Sequence, residues 1–516
     1  MPNSTHSNSQ TLDREAVNNS GPLHDYQRPD MSARDYLVMM LTSGAEIEHA
    51  LMVQYLYAAY SINGDQASEA DQAMVEGWRA SILSVAREEM GHLLTVQNVL
   101  VLLGAPVNLG REMLPWDHEF YPFPFSLERL SEEALQCFIY AEMPRLDSLE
   151  KPVRGKRRAK SVPSSIPPAQ HKKIIKEITG ALAARFPDSH VKKDMHRVGE
   201  LYDEIIKLIS DPERIPDSAF DDTTFDMQAS WDDWGRGYKP TPRLVDAEGN
   251  LDPKNDLHAP PQTLAQRHAH VQVERMATRA QAVKALQALA AQGEAPHLRE
   301  DETGEPSHFE RFVQIYEEFK AFSARKRSAT HAVPHNPTTR IDFHRLNPKR
   351  TTYIGTDHND ELAAHLFAQL FNQRYRLLLT YLAHSFRLAR TQPNHQPSLR
   401  AMVMHRAFGE MYNLKAIADL LVRLPRHRGG RAGPPFEMPY SLDLPQADRD
   451  IWRLYDDLLV SSHKTCTDVI GIAKKRGFAA MREQIVRTGG EAYLRTLMSL
   501  DEQNRVWIGK ILAGAA

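Results

Sequence analysis

Two stretches of this chain repeat apolar residues at helical spacing yet carry ionisable side chains in the middle of the apolar stripe. That conflict restricts the fold more than any other feature. In LTSGAEIEHALMVQYLYAAYSI the seam Leu41, Ala45, Glu48, Met52, Tyr55, Ala59 advances by three or four residues, with one carboxylate inside it. In WRASILSVAREEMGHLLTVQNVLVLLG the seam is Ile82, Val85, Glu89, His92, Val96, Val99, Leu103, and two successive core positions are polar. An ionised carboxylate buried without a partner is strongly unfavourable, so such groups must be hydrogen-bonded, ion-paired or bound to a cation.

Spacing narrows the choice. Glu89 and His92 lie three residues apart, on one helical face, and can reach the same ion. A Glu-x-x-His pair projecting inward, joined by glutamates from partner helices, is the ligand pattern of di-iron and di-manganese carboxylate proteins. Carboxylate with imidazole suits iron, manganese or zinc, and redox chemistry favours the first two. The metal-free alternative is that Glu89 and His92 satisfy one another or pair with Arg87 or Arg79.

The rest of the chain supports an all-α fold. Helical apolar spacing is expected over 33–60, 71–103, 131–143, 169–184, 190–210, 263–292 and 307–325, then 358–390, 398–424, 447–475, 478–488 and 490–513. Alternating strand-like runs are scarce. The expected organisation is a lead-in over 1–32, a metal-binding bundle over 33–325 with a long loop insertion at 211–262, a linker at 326–357 and a C-terminal helical region over 358–516. The lead-in, rich in Ser, Asn and Asp, reads as disordered rather than secretory, so the default compartment is the cytoplasm. No apolar run approaches the roughly 20 residues of a membrane span.

Composition excludes further classes. The 63 basic and 66 acidic residues nearly cancel, which removes the global electrostatic case for nucleic acid. The basic run 151–173 is Pro- and Ser-containing and reads as a solvated linker. With only two cysteines, Cys137 and Cys466, and no Cys-x-x-Cys, neither a disulfide framework nor a thiolate metal site is indicated. Any metal is held by oxygen and nitrogen.

Other polar candidates come from later helices. Glu142, ending a helix before Pro144, could be a ligand, a supporting hydrogen-bond acceptor or a helix-end charge, and the supporting role is preferred. Glu200 lies at the edge of the seam Val198, Leu201 or Tyr202, Ile205, Ile209, while Glu204 reads as solvated. Glu294 ends one helix and His308 opens the next, so a hairpin could bring them together; packing of His308 on an aromatic neighbour is the equal alternative. His358, His365 and His384 do not share a common face and read as surface residues, and His405 is given no role.

Five segments in order, AEIEHALMVQYLYAAYSI, REEMGHLLTVQNVLVLLGAP, GELYDEI, QGE followed by SHFERF, and AGPPFEMPY, resemble the ferritin-like domain of the iminophenyl-pyruvate dimer synthase family. The resemblance covers 33–325 and extends to about 460 through the last segment. It implies a ferritin-like four-helix bundle with additional C-terminal helices and a metal site of Glu48, Glu89, His92, Glu200, Glu294 and His308, with Glu142 close by. The large dimer synthases are considerably longer and carry a haem, for which this chain has no evident counterpart, so haem is not expected.

Two functions are expected to compete. The first is an oxidoreductase with two iron ions, or manganese, acting on a small amino-acid-derived substrate or imine in secondary metabolism, with Tyr55, Glu142 and Tyr202 tuning the site. The second is a non-catalytic metal-binding or scaffold protein of a biosynthetic complex, with the C-terminal helices as its interaction face. A homo-oligomer or a pathway partner enzyme fits either.

Overall fold

The computed structural model describes residues 31–144, 168–187, 198–229, 271, 273, 275–294, 306–325, 328–356, 359, 361–388, 398–426 and 429–514. The described residues are mostly helical, as expected. The first group is α1 (Ala33–Ser61), α2 (Glu69–Leu102), α3 (Glu132–Glu142), α4 (Pro168–Arg185), α5 (Val198–Ser210), α6 (Arg279–Glu294) and α7 (His308–Ser323). A short α8 (Ile341–Leu346) follows, flanked by β1 (Pro337–Thr338) and β2 (Thr352–Tyr353), which pair in parallel. The second group is α9 (Leu362–Ser385), α10 (Leu399–Leu421), α11 (Asp448–Ala473), α12 (Ala479–Arg487) and α13 (Gly490–Leu512).

Local chemistry sets the helix ends near the site. Ser32 caps α1 by accepting from the Asp35 amide at 3.1 Å. Ser307 and Glu310 form a reciprocal capping box, which fixes His308 as the first residue of α7. Met143, ahead of Pro144, is extended, so α3 stops at Glu142.

Helix α1 packs along α2 and also meets α5; α3 lies on α7, and α6 bridges α5, α2 and α7. Both seams are buried except for the half-buried Met52. Helix α5 is covered on two sides, by α1 and α6, and its buried face is wider than one seam. Glu204, expected to be solvated, is therefore buried.

Residues 328–356, in the expected linker, are packed rather than strung out. The Asn63 amide donates to Ala329 O, the Leu127 amide to Asn336 Oδ1 at 2.6 Å, and Thr339 donates from its amide and hydroxyl to Glu437. The AGPPFEMPY segment lies against α9, where Phe436 meets Phe371 and Tyr375 edge-on. Gly433 sits so close to Tyr57 that a Cβ would lie 2.5 Å from the phenol oxygen.

The surface expectation for two histidines is corrected. His365 and His384 are buried, because α9 is enclosed by α10, α11 and α12 on different sides. His365 is hydrogen-bonded to Ile354 O at 2.7 Å, and His384 to the Tyr455 hydroxyl at 2.8 Å. His358, the run 151–167 and the Trp231 and Trp234 segment lie outside the described residues. Cys137 and Cys466 are both buried and free. Among the described residues, no helix is long and apolar enough to cross a membrane.

The second helical group is tied together by one buried ion cluster. Arg374 of α9 donates to both Glu410 oxygens on α10 and, at 2.6 Å, to Asp501 on α13, while Ser462 of α11 bridges to Asp501 at 3.0 Å. Removing one member leaves uncompensated buried charge, whereas replacing the whole set with apolar groups can be neutral. Arg374→Met should therefore cost about 3–5 kcal/mol in denaturant unfolding. The triple change Arg374→Met, Glu410→Leu, Asp501→Leu should recover most of that loss.

Candidate metal centre

The two seams meet as the sequence pattern requires. Glu48, Glu89 and His92 are no more than 3% exposed, and their ligand atoms lie within 4.8 Å of one another. A second group of the same compactness is Glu89, Glu142 and His308. Glu89 is common to both.

The shared residue is used symmetrically. His92 Nδ1 lies 2.8 Å from Glu89 Oε2, and His308 Nδ1 lies 2.8 Å from Glu89 Oε1. Glu48 Oε2 stands 3.6 Å from His92 Nδ1, and Glu142 Oε2 stands 3.6 Å from His308 Nδ1. The two imidazoles are stacked with centroids 5.4 Å apart. Each outer carboxylate accepts a phenol hydrogen bond at 2.5 Å, Glu48 from Tyr202 and Glu142 from Tyr55. Tyr55 is itself wedged between Phe138 and Phe312.

The outer imidazole nitrogens are also occupied. His308 Nε2 lies 3.0 Å from Glu88 Oε2, and His92 Nε2 lies 3.0 Å from Gln292 Oε1. Gln292 Nε2 donates back to Glu88 at 2.9 Å, and Arg311 Nη1 donates to Glu88 at 2.7 Å. Such contacts fix the ring orientation so that Nδ1 faces inward. Gly293 lets the end of α6 close over this face, since a Cβ there would stand 3.1 Å from Glu142 Oε2.

Electrostatics reflect the crowding of acids. Burial together with the Glu142 and Glu48 charges pushes the Glu89 carboxyl well above its ordinary value, against the pull of His308. Burial opposes charge on Glu48, but hydrogen bonds with His92, Glu89 and Tyr202 and the His92 charge hold it below its ordinary value. Burial likewise opposes charge on His308, yet the Glu89 charge and hydrogen bonds with Glu142, Glu88 and Glu89 push it up to about 10. Glu88 is held well below the usual range, against burial, by Arg311 and His308.

The donor set fits a metal. Three carboxylates and two inward-facing imidazole nitrogens converge in a dry interior, a set of oxygen and nitrogen donors that suits iron or manganese. The arginines of the metal-free alternative do not reach: Arg79 pairs with Glu76, and Arg87 Nε donates to Leu83 O.

The remaining sequence candidates divide. Glu200 is buried on α5, two residues before Tyr202, but belongs to neither ligand group. Glu294 is the last residue of α6, next to Gly293, and its side chain lies outside the described part. Glu142, preferred as a supporting group, lies within the second group that could hold an ion and also accepts from Tyr55.

Sequence reasoning missed Glu88, Gln292 and Arg311. Glu88 falls off the α2 seam, and the packing of α7 and α6 on that flank surrounds it with His308, Arg311 and Gln292. Arg311 carried a usable signal: it lies three residues after His308 on a face with Phe312 and Ile315, where a buried guanidinium demands a carboxylate. His49 was missed as well; it is fully buried beside Glu48 and hydrogen-bonded to the Tyr375 hydroxyl on α9, to which Arg111 also donates at 3.3 Å.

Comparison with known proteins places this geometry in context. A family model described as ferritin-like matches residues 41–317. Dichlorochromopyrrolate synthase of Lentzea aerocolonigenes is 28% identical over 485 residues, 86% of this chain and 40% of that protein. The 2-imino-3-(indol-3-yl)propanoate dimerase of Chromobacterium violaceum is 33% identical over 141 residues, 22% of this chain and 14% of that protein. The chain thus spans well under half the length of either relative. No solved structure matches the chain significantly.

Because Glu88 orients His308 without facing the ligand cluster directly, its loss should loosen the site rather than erase it. Glu88→Gln should weaken metal affinity by about 10–100-fold in a chelator-competition titration. An affinity equal to that of the unaltered protein would remove Glu88 from this role.

Proposed function

We propose that this chain, which belongs to the ferritin-like family, binds a pair of iron or manganese ions and oxidises or couples a small amino-acid-derived imine. The observation that carries the reading is Glu89, with one oxygen turned to each of two inward-facing imidazoles and a further carboxylate behind each of them. We assign Glu48, Glu89, His92, Glu142 and His308 as ligands, with Glu200, buried on α5, and Glu294, on the family resemblance, as further candidate acids. Support for an enzyme, rather than a scaffold, comes from the relatives, whose names are those of a synthase and a dimerase.

When bound, a redox-active metal pair supplies Lewis acidity and electron transfer. The chain's own residues do the remaining work. Tyr202 and Tyr55 donate to Glu48 and Glu142, fix the carboxylate rotamers and lower the basicity of the oxygens that accept. Glu88 and Gln292 hold the two imidazoles with Nδ1 inward, and Arg311 keeps Glu88 ionised so that it accepts from His308. A cation held by His92 and His308 would displace the protons that these rings share with Glu89, so metal uptake would release protons to solvent.

The substrate class follows from the relatives' chemistry, since one is named for dimerising a 2-imino acid. Haem is not part of this proposal.

Elemental analysis of protein purified without chelator should find iron or manganese, and the Glu89→Ala, His92→Ala double variant should lose it along with activity. Oxygen uptake by metal-loaded protein should depend on an added 2-imino acid, generated in place from an aromatic amino acid. Retained metal in the double variant would overturn the site. Oxygen uptake that only builds ferric mineral would overturn the enzyme.

A further inference from the structure

Away from the metal centre, a cavity of about 720 Å³ opens where the two helical groups meet. Arg129, Arg423, Arg431 and Arg487 all line it, together with His331 and Thr488, and none of its lining residues is acidic. They come from separate parts of the chain: the turn before α3, the end of α10 and the loop after it, the last residue of α12 and the packed segment before β1. In a chain with net charge −3, this local excess does not follow from overall composition.

The walls are fixed by backbone hydrogen bonds. The His331 amide donates to Ser61 O at 2.7 Å, and the Arg431 amide donates to Ala332 O at 2.9 Å. Arg431 Nη1 donates to Arg423 O at 3.0 Å, which aims its guanidinium along the cavity wall. Gly430, at φ +83°, presses so close that a Cβ would stand 3.0 Å from Ala332 O, so only glycine suits this backbone.

Among the described residues, Arg129, Arg423 and Arg487 make no ion pair and no side-chain hydrogen bond. Arg79, near His331, is occupied by Glu76 and Ile62 O. Burial and the neighbouring arginines push His331 down to about 4, so the ring is a neutral donor or acceptor in a cationic surround. Glu133 partly offsets Arg129 and Asp65 acts on His331, but four arginines share this cavity, and arginine forks match carboxylate and phosphate oxygens in paired hydrogen bonds. The volume falls in the range of about 300–1,000 Å³ of small-molecule sites, which favours a small ligand over a macromolecular surface.

We propose that this cavity is a binding site for a small dianion carrying phosphate or carboxylate groups, separate from the metal centre. Its ligand bridges the two helical groups, with Arg129 and His331 from one side and Arg423, Arg431 and Arg487 from the other.

Isothermal titration of the full chain with inorganic phosphate, and separately with succinate, tests the site. Saturable binding with Kd of about 1 mM or tighter is expected for at least one probe. Preference for phosphate points to a phosphate-ester ligand, and preference for succinate to a dicarboxylate; either supports the site. The double variant Arg423→Gln, Arg487→Gln, both exposed positions, should weaken binding at least about tenfold, with unfolding midpoint and metal content unchanged. Arg423→Lys, Arg487→Lys should recover only part of it. Absence of saturable binding for both probes, or equal binding by the double glutamine variant, would overturn the proposal.

Discussion

Concentrating acids in a dry interior is the constraint on which the rest of this molecule depends. Glu48, Glu88, Glu89 and Glu142 are all buried within one small region, and charges in such a region repel strongly unless something offsets them. Arg311 offsets Glu88 and is committed there. The other three carboxylates face two imidazoles and two phenols, and of these only the imidazoles can carry positive charge. Metal cations would offset the acid charge that remains, the same crowding that pushes the Glu89 carboxyl well above its ordinary value.

The site's precision comes from helix ends as much as from helix faces. His308 is the first residue of α7, Glu142 the last of α3, and Gln292 and Gly293 the closing residues of α6. A capping box and a proline set the first two of these ends. End positions leave the side chain less screened by its own helix, and they bring three elements to the open flank of the α1–α2 pair. The mid-helix residues Glu48, Glu89 and His92 form the rigid floor.

The second helical group is not a distant appendage to this arrangement. Tyr375 on α9 is hydrogen-bonded to His49, the neighbour of Glu48, while Arg111 links the same hydroxyl to the Phe436 carbonyl. The Arg374 cluster holds α9 against α10, α11 and α13, so the backing of His49 is braced from behind. Phe436 at φ +48° is a bulky residue in the left-handed region, a conformation costing about 1–3 kcal/mol that persists only where the surroundings over-determine it. Here the aromatic faces of Phe371 and Tyr375 and the Arg111 hydrogen bond do so.

By itself the sequence determined the all-α class, the location of nearly every described helix and the convergence of Glu48, Glu89 and His92, because helical period is a local property and a polar residue within an apolar seam is visible in one dimension. Helical spacing offered His308, Glu200 and Glu294 only as candidates, and family resemblance brought them into the ligand set. The tertiary structure alone decided that Glu142 faces His308, that Glu88 and Arg311 pair behind it, that Glu204, His365 and His384 are buried, and that arginines from distant segments share one cavity. Each of these depends on which second or third helix covers a flank, and burial from several sides leaves no single periodic stripe to read. A seam records the first partner of a helix; the later partners are recorded only in the packing.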